Sequence, residues 1–173
     1  MPEHRERTPS ALRDLESFLW HDFEAGADDW LAWLKRKMPD VGDALARASV
    51  ADAAELHAAL RSLQAANSGF ASVAAGAGHL AINRLVERLG VRPYLRPNTT
   101  LHLTADEPAA PVVSLLLTAL EIMQSGQWRR FKLCREPTCR ASYYDASKAV
   151  AKMWCAMETC GSRDKMRRYR ARV

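Results

Sequence analysis

Cysteine is missing from residues 1–133: all four cysteines of the 173-residue chain lie between Cys134 and Cys160. Long apolar runs are missing too. The most apolar stretch, Pro108 to Met123, is interrupted by Ser114, Thr118 and Glu121, and it falls short of the roughly 20 residues that a membrane span needs. The charged opening Met1 to Arg7 is followed by no apolar h-region, so no secretory signal is visible and a cytoplasmic protein without membrane contact is expected. Internal repeats and low-complexity tracts are absent. No His-x-x-x-His pair, nucleophile elbow or Gly-rich phosphate loop occurs. His4, His21, His57, His79 and His102 stand alone, and the acidic pairs Asp28-Asp29 and Asp106-Glu107 sit at element starts, where helix N-termini favour carboxylates. Nothing here builds a catalytic constellation, and a non-enzymatic role is expected.

The cysteines form two Cys-x4-Cys pairs, Cys134/Cys139 and Cys155/Cys160, fifteen residues apart. Each pair suits one turn, and two such turns can clasp one ion in a tetrahedral tetrathiolate site. In a reducing compartment this pattern reads as metal or redox chemistry. One Zn2+ is favoured over a regulatory disulfide or an iron–sulfur centre, because a thioredoxin-like motif would need two intervening residues and a βαβ context. Four cysteine ligands fill the tetrahedron, so the zinc is expected to be structural. Loss of one ligand should then release metal and unfold residues 131–173.

Upstream, the spacing predicts helices. Leu12, Leu15, Phe18, Leu19 and Phe23 mark a first helix over about 10–24, with Ser10 as N-cap and Gly26 as its end. Trp30, Trp33 and Leu34 place one apolar face on a second helix, which Pro39 closes, and the Trp pair is expected in the core. Ser49-Val-Ala-Asp52 has the form of a capping box opening a helix over about 50–66. Leu56, Leu60 and Leu63 form its buried stripe, and Asn67-Ser-Gly69 stops it. A helix over about 71–89 carries Val73, Leu80, Leu85, Val86 and Leu89 and ends at Gly90. Pro93 and Pro97 then exclude a helix, and Tyr94-Leu95 and Leu101-His102-Leu103 form a small hairpin about Asn98-Thr-Thr. A long apolar helix follows Pro111 to about Gln124, with Ser125-Gly126 as its exit.

Charge divides the chain at about the same place as cysteine. Residues 1–127 carry 12 Lys/Arg against 16 Asp/Glu, a net of −4, whereas residues 128–173 carry 13 against 4, a net of +9. Two domains are expected, 1–127 and 128–173. So positive a module predicts a polyanion partner, most simply nucleic acid. In the module, Pro137 favours a tight knuckle between the first ligands, Ser142 to Ser147 a short strand and turn, and the segment after Cys160 a basic helix. The expected fold is α+β and predominantly α: a helical N-terminal domain with a small β-hairpin, plus a C-terminal treble-clef-like zinc finger. On the last helix Ser162, Met166, Tyr169 and Val173 share a face that should pack on the knuckle. Arg163, Arg167 and Arg170 form one basic stripe, and Lys165, Arg168 and Arg172 another.

These residues resemble the CGNR zinc-finger family. The likeness is carried by Cys134, Cys139, the Tyr144-Asp145-x-Ser147 element, Trp154-Cys155, Met157, Cys160-Gly161, Arg163, Lys165 and Arg167 to Arg172. Ser162 stands where the name-giving Asn would be, and can still make one hydrogen bond there. Residues 10–126 bear a general likeness to the family's N-terminal ABATE domain, including Glu55-Leu-x-x-x-Leu-Arg61. The resemblance implies a bacterial stress-responsive transcription regulator. DNA binding through Arg163, Lys165, Arg167, Arg168, Arg170 and Arg172 is the leading expectation, with RNA or an acidic protein as alternatives, the latter making the chain an interaction adaptor. The helical domain would dimerise or sense a small ligand.

Overall fold

The computed structural model describes residues 8–9, 12–20, 27–70, 73–108 and 110–171. Its elements run α1 (Arg13–Trp20), α2 (Ala27–Lys37), α3 (Asp43–Ala48), α4 (Val50–Asn67), α5 (Val73–Arg88), β1 (Arg92–Leu95), β2 (Leu101–Thr104), α6 (Pro111–Gln124), β3 (Phe131–Leu133), β4 (Ser142–Tyr144) and α7 (Ser162–Arg170). The strands form two separate antiparallel pairs, β1 with β2 and β3 with β4. The expected α+β, mainly helical fold is therefore the one observed. Among the described residues, no helix is long and apolar enough to cross a membrane. The caps expected at Ser10 and Gly26 fall outside the described residues, and the short α3 has no counterpart in the apolar periodicity.

The helical core is built where the apolar spacing predicts. Phe18, Trp30, Leu34, Leu56, Leu60, Leu85 and Leu116 are each at most 1% exposed. Trp30 and Trp33 stack at 5.3 Å, and Phe18 meets both edge-on. Burying two indoles requires partners for two N–H groups. Trp33 donates to Ser17 Oγ at 3.1 Å, and Trp30 donates to Ser49 Oγ at 3.0 Å. This second bond overturns the capping-box reading. Ser49 Oγ instead donates to Ala46 O, caps no backbone N–H of α4, and leaves Asp52 to pair with Arg88. The stripe of α5 also differs: Leu80 is 61% exposed, and Ala81 and Ile82 are buried beside Leu85. The side chain of Val73 lies outside the described residues.

Helix α4 ends as Asn67-Ser-Gly69 suggests. Gly69 takes φ +74°, and its N–H bonds Ala66 O while that of Phe70 bonds Ala65 O, the paired bonds of a Schellman cap. The helix end then receives the C-terminal module. Phe131 and Tyr144, one from each strand of the second hairpin, belong to the same buried cluster as the helical core. Leu133 N–H donates to Ser68 Oγ at 2.7 Å, and Asn67 Nδ2 donates to the carbonyls of Trp128 and Phe131. On the other edge, Tyr144 N–H donates to the buried Glu16 of α1, and Gln64 Nε2 donates to Ser142 Oγ. Both edges of β3–β4 are thus capped by helical side chains.

Candidate metal centre

The four cysteines converge from two turns. The first turn is the β3–β4 connection itself: Cys134 N–H bonds Ala141 O, and Glu136 O accepts from Cys139 and Arg140 N–H. Pro137 lies inside this knuckle, as its spacing suggests. The second turn needs an unusual backbone. In a regular α-helix residues five apart lie about 140° around the axis, so Cys155 and Cys160 could not meet. Ala156 is instead extended, and a single π-turn over Met157–Gly161 follows. Such wide turns favour functional sites. Arg135 N–H donates to Met153 O and ties the first turn to the approach of the second.

All four Sγ atoms lie within 4.8 Å of one another. Cys155 Sγ is 3.7 Å from both Cys139 Sγ and Cys160 Sγ. A tetrahedron with Zn–S bonds of about 2.3 Å has S···S edges of about 3.8 Å. All four cysteines are free thiols. As bare thiols they cannot all ionise. The hydrogen bond given by Cys155, aided by backbone N–H groups of Cys155 and Glu136, brings Cys134 down to about 5. That same bond, then burial and the Cys134 charge, pushes Cys155 up, and burial raises Cys139. A bound dication removes the conflict by accepting all four as thiolates. Donor set, distances and burial fit one structural zinc, held by Cys134, Cys139, Cys155 and Cys160.

Residues 130–173 match the family model of the CGNR zinc finger. No curated protein matches the chain. The matched segment is strand, knuckle, strand, loop and helix, and its loop is fastened by Asp145. That carboxylate is fully buried and accepts from Lys132 Nζ at 2.8 Å, Ser147 N–H and Oγ, and Lys152 N–H. Burial by itself would raise its pKa, but these donors together hold it below the ordinary carboxylate value. Lys132 Nζ also donates to the carbonyls of Val150 and Lys152, and Tyr143 OH donates to Lys152 O at 2.6 Å. Burial, chiefly, keeps that phenol protonated by raising its pKa.

The finger differs from expectation at α7. Met166 and Tyr169 are 51% and 66% exposed, so the expected face is not buried on the knuckle. The contact is ionic. Glu136, buried between the first two ligands, receives a bidentate bond from Arg167 (3.1–3.2 Å), which also reaches Asp164 at 2.8 Å. The Arg167 bond holds the Glu136 carboxyl below its ordinary value. Of the basic residues singled out, Arg167 is therefore spent inside the finger, and Arg168 pairs with Asp164 at 2.9 Å while remaining exposed. Arg163, Lys165 and Arg170 are exposed and have no ion-pair partner among the described residues, and Arg172 lies outside them. Sequence spacing missed Glu136. Its available signal was that it is one of only four acids in residues 128–173, placed between two ligands. A Cβ at Gly161 would stand 2.5 Å from Met157 Sδ, an exposed and flexible side chain that would have to move aside. Ser162 Oγ lies 3.4 Å from Met157 O.

Proposed function

We propose that this protein is a zinc-dependent nucleic-acid-binding protein, a bacterial transcription regulator that holds duplex DNA against α7. One observation carries this reading: three of the finger's four carboxylates are tied inward, Glu158 alone being exposed, while the cations of α7 outside those ties face outward. Glu136, Asp145 and Asp164 are consumed by Arg167, Lys132 and Arg168, while Arg163, Lys165 and Arg170 reach solvent with no ion-pair partner among the described residues. Such a surface suits phosphates. An α-helix such as α7 is about 10–12 Å across with its side chains, which a major groove about 12 Å wide admits.

The zinc takes no chemical part in this reading. Four protein ligands leave no position for water or substrate, so the protein is proposed to be no enzyme. Ligand sensing or dimerisation falls to the helical body, whose likeness to the ABATE domain belongs to the same proposal. A cleft of about 300 Å³ opens there, lined by Leu45, Asp52, Arg88, Asp106 and Val112.

The test is binding of the full-length, zinc-loaded protein to duplex DNA over a salt series. Three phosphate contacts from α7 give a log–log slope of about −3, steeper if Arg168 joins. Binding that vanishes at moderate salt and prefers no site would overturn the regulator reading. Tighter binding to RNA would reassign the partner.

A further inference from the structure

Positions on α7 advance by about 100° per residue, so the inward Asp164 and Arg167 define the opposite, outward arc. That arc carries Lys165, Tyr169, Ser162, Met166 and Arg170 in order, with Arg163 just beyond. Met166 and Tyr169 stand three residues apart at its middle, both exposed, and belong to neither buried cluster of the described residues. Single exposed apolar side chains are ordinary, but this pair forms a ridge with an unpaired cation on each side. The basic helix is thus arranged opposite to the usual amphipathic plan: its salt bridges face the protein, and its largest apolar side chains face out.

We propose that the Met166–Tyr169 ridge is the base-contacting element of a duplex DNA site, with Arg163, Lys165 and Arg170 as its phosphate contacts. The inference rests on the nucleic-acid reading above and goes further by dividing labour along the helix. Charge complementarity selects the occupant. A polyanion with charge along both flanks and an apolar-and-polar floor between them fits a ridge bordered by cations on both sides, and the floor of the major groove is such a surface. A thioether and an aromatic ring can pack on thymine methyl groups, and the phenol can donate to or accept from base edges. Phosphate contacts position, and base contacts specify. Arg167 drops out of the DNA-contacting set because it holds the helix to the knuckle.

Duplexes enriched by the full-length, zinc-loaded protein from a random pool would be compared with scrambled duplexes of equal length, by fluorescence anisotropy over a potassium chloride series. Zinc content would be measured for every variant. Met166→Ala with Tyr169→Ala should lower the preference for enriched over scrambled duplex by about tenfold and leave the salt slope unchanged. Arg163→Gln, Lys165→Gln and Arg170→Gln together should weaken both duplexes alike and flatten the slope by nearly 3. Should the double alanine variant lose zinc, Tyr169→Ser, made at an exposed site, carries the same comparison. A ridge variant that keeps the wild-type preference would overturn this inference and leave DNA binding standing. So would tight binding without enrichment of any sequence. A wild-type protein that ignores duplex DNA would overturn the nucleic-acid reading itself. Tighter binding to single-stranded DNA or to polyglutamate would assign the ridge to another partner and overturn the duplex proposal.

Discussion

Asp145 shows how one buried carboxylate can organise a loop that has almost no secondary structure. It binds donors from β3, from its own turn and from Lys152, so Asp145→Asn strands Lys132 without its counter-charge. Breaking a buried pair in this way costs about 3 kcal/mol. The folded pKa lies below the unfolded one, so this stability is fully present above about pH 4 and fades as pH falls through the lowered value. Urea midpoints of wild type and variant should therefore differ by a constant amount from pH 7 to 5, and the gap should narrow only below pH 4. Val150 is held to a less comfortable bargain. Its φ of +51° is a region that β-branched residues avoid, and its carbonyl is aimed at Lys132 Nζ at 2.6 Å. Val150→Gly relieves that strain at some entropic cost. It should raise stability by about 1 kcal/mol with zinc stoichiometry unchanged, and a lower thermal midpoint would refute the strain.

Between elements, polar side chains do much of what apolar periodicity cannot announce. The spacing of Trp30, Trp33, Leu56, Leu60 and Leu63 places them in the core because helix amphipathicity is a sequence property. The four cysteines are legible for a similar reason, since ligand chemistry admits few residue types. The inward face of α7 is not legible. A stripe of Met166 and Tyr169 looks like a packing face, but a buried Glu136 draws Arg167 inward, and a helix has only one inward side. Ser49 misleads in the same way, because the cap motif is local and the indole of Trp30 that claims its hydroxyl is nineteen residues away. The junction between α4 and β3 is equally hidden, as Ser68 reads only as part of a helix stop. Ser68→Ala would leave the buried Leu133 N–H without an acceptor and cost about 1–3 kcal/mol. Faster exchange of that amide, with Ser68→Thr restoring protection, would identify the lost bond; unchanged exchange would mean another acceptor replaces it.

For the whole molecule, the shared core decides what metal loss can undo. Phe131 and Tyr144 are buried with the helices, whereas no residue of α7 is buried, and its ties to the protein are Cys160 and the Glu136–Arg167 pair. The expectation from sequence that residues 131–173 unfold together is accordingly narrowed by the packing. Chelation of zinc, or Cys155→Ser, should release exchange protection over 134–139 and 153–171, while β3, β4 and α4 keep most of theirs. Hydrogen exchange with and without chelator measures this, and full loss across 131–144 would show that zinc also holds the hairpin. The capped hairpin has one more consequence. A two-stranded sheet ordinarily offers two open edges on which a neighbouring chain can add a strand. Here Ser68 and Asn67 occupy one edge, and Glu16 the other. A newly made chain still waiting for its metal would present a loose basic tail but no β-template at this hairpin, whose edges would stay closed to strand addition until zinc arrives.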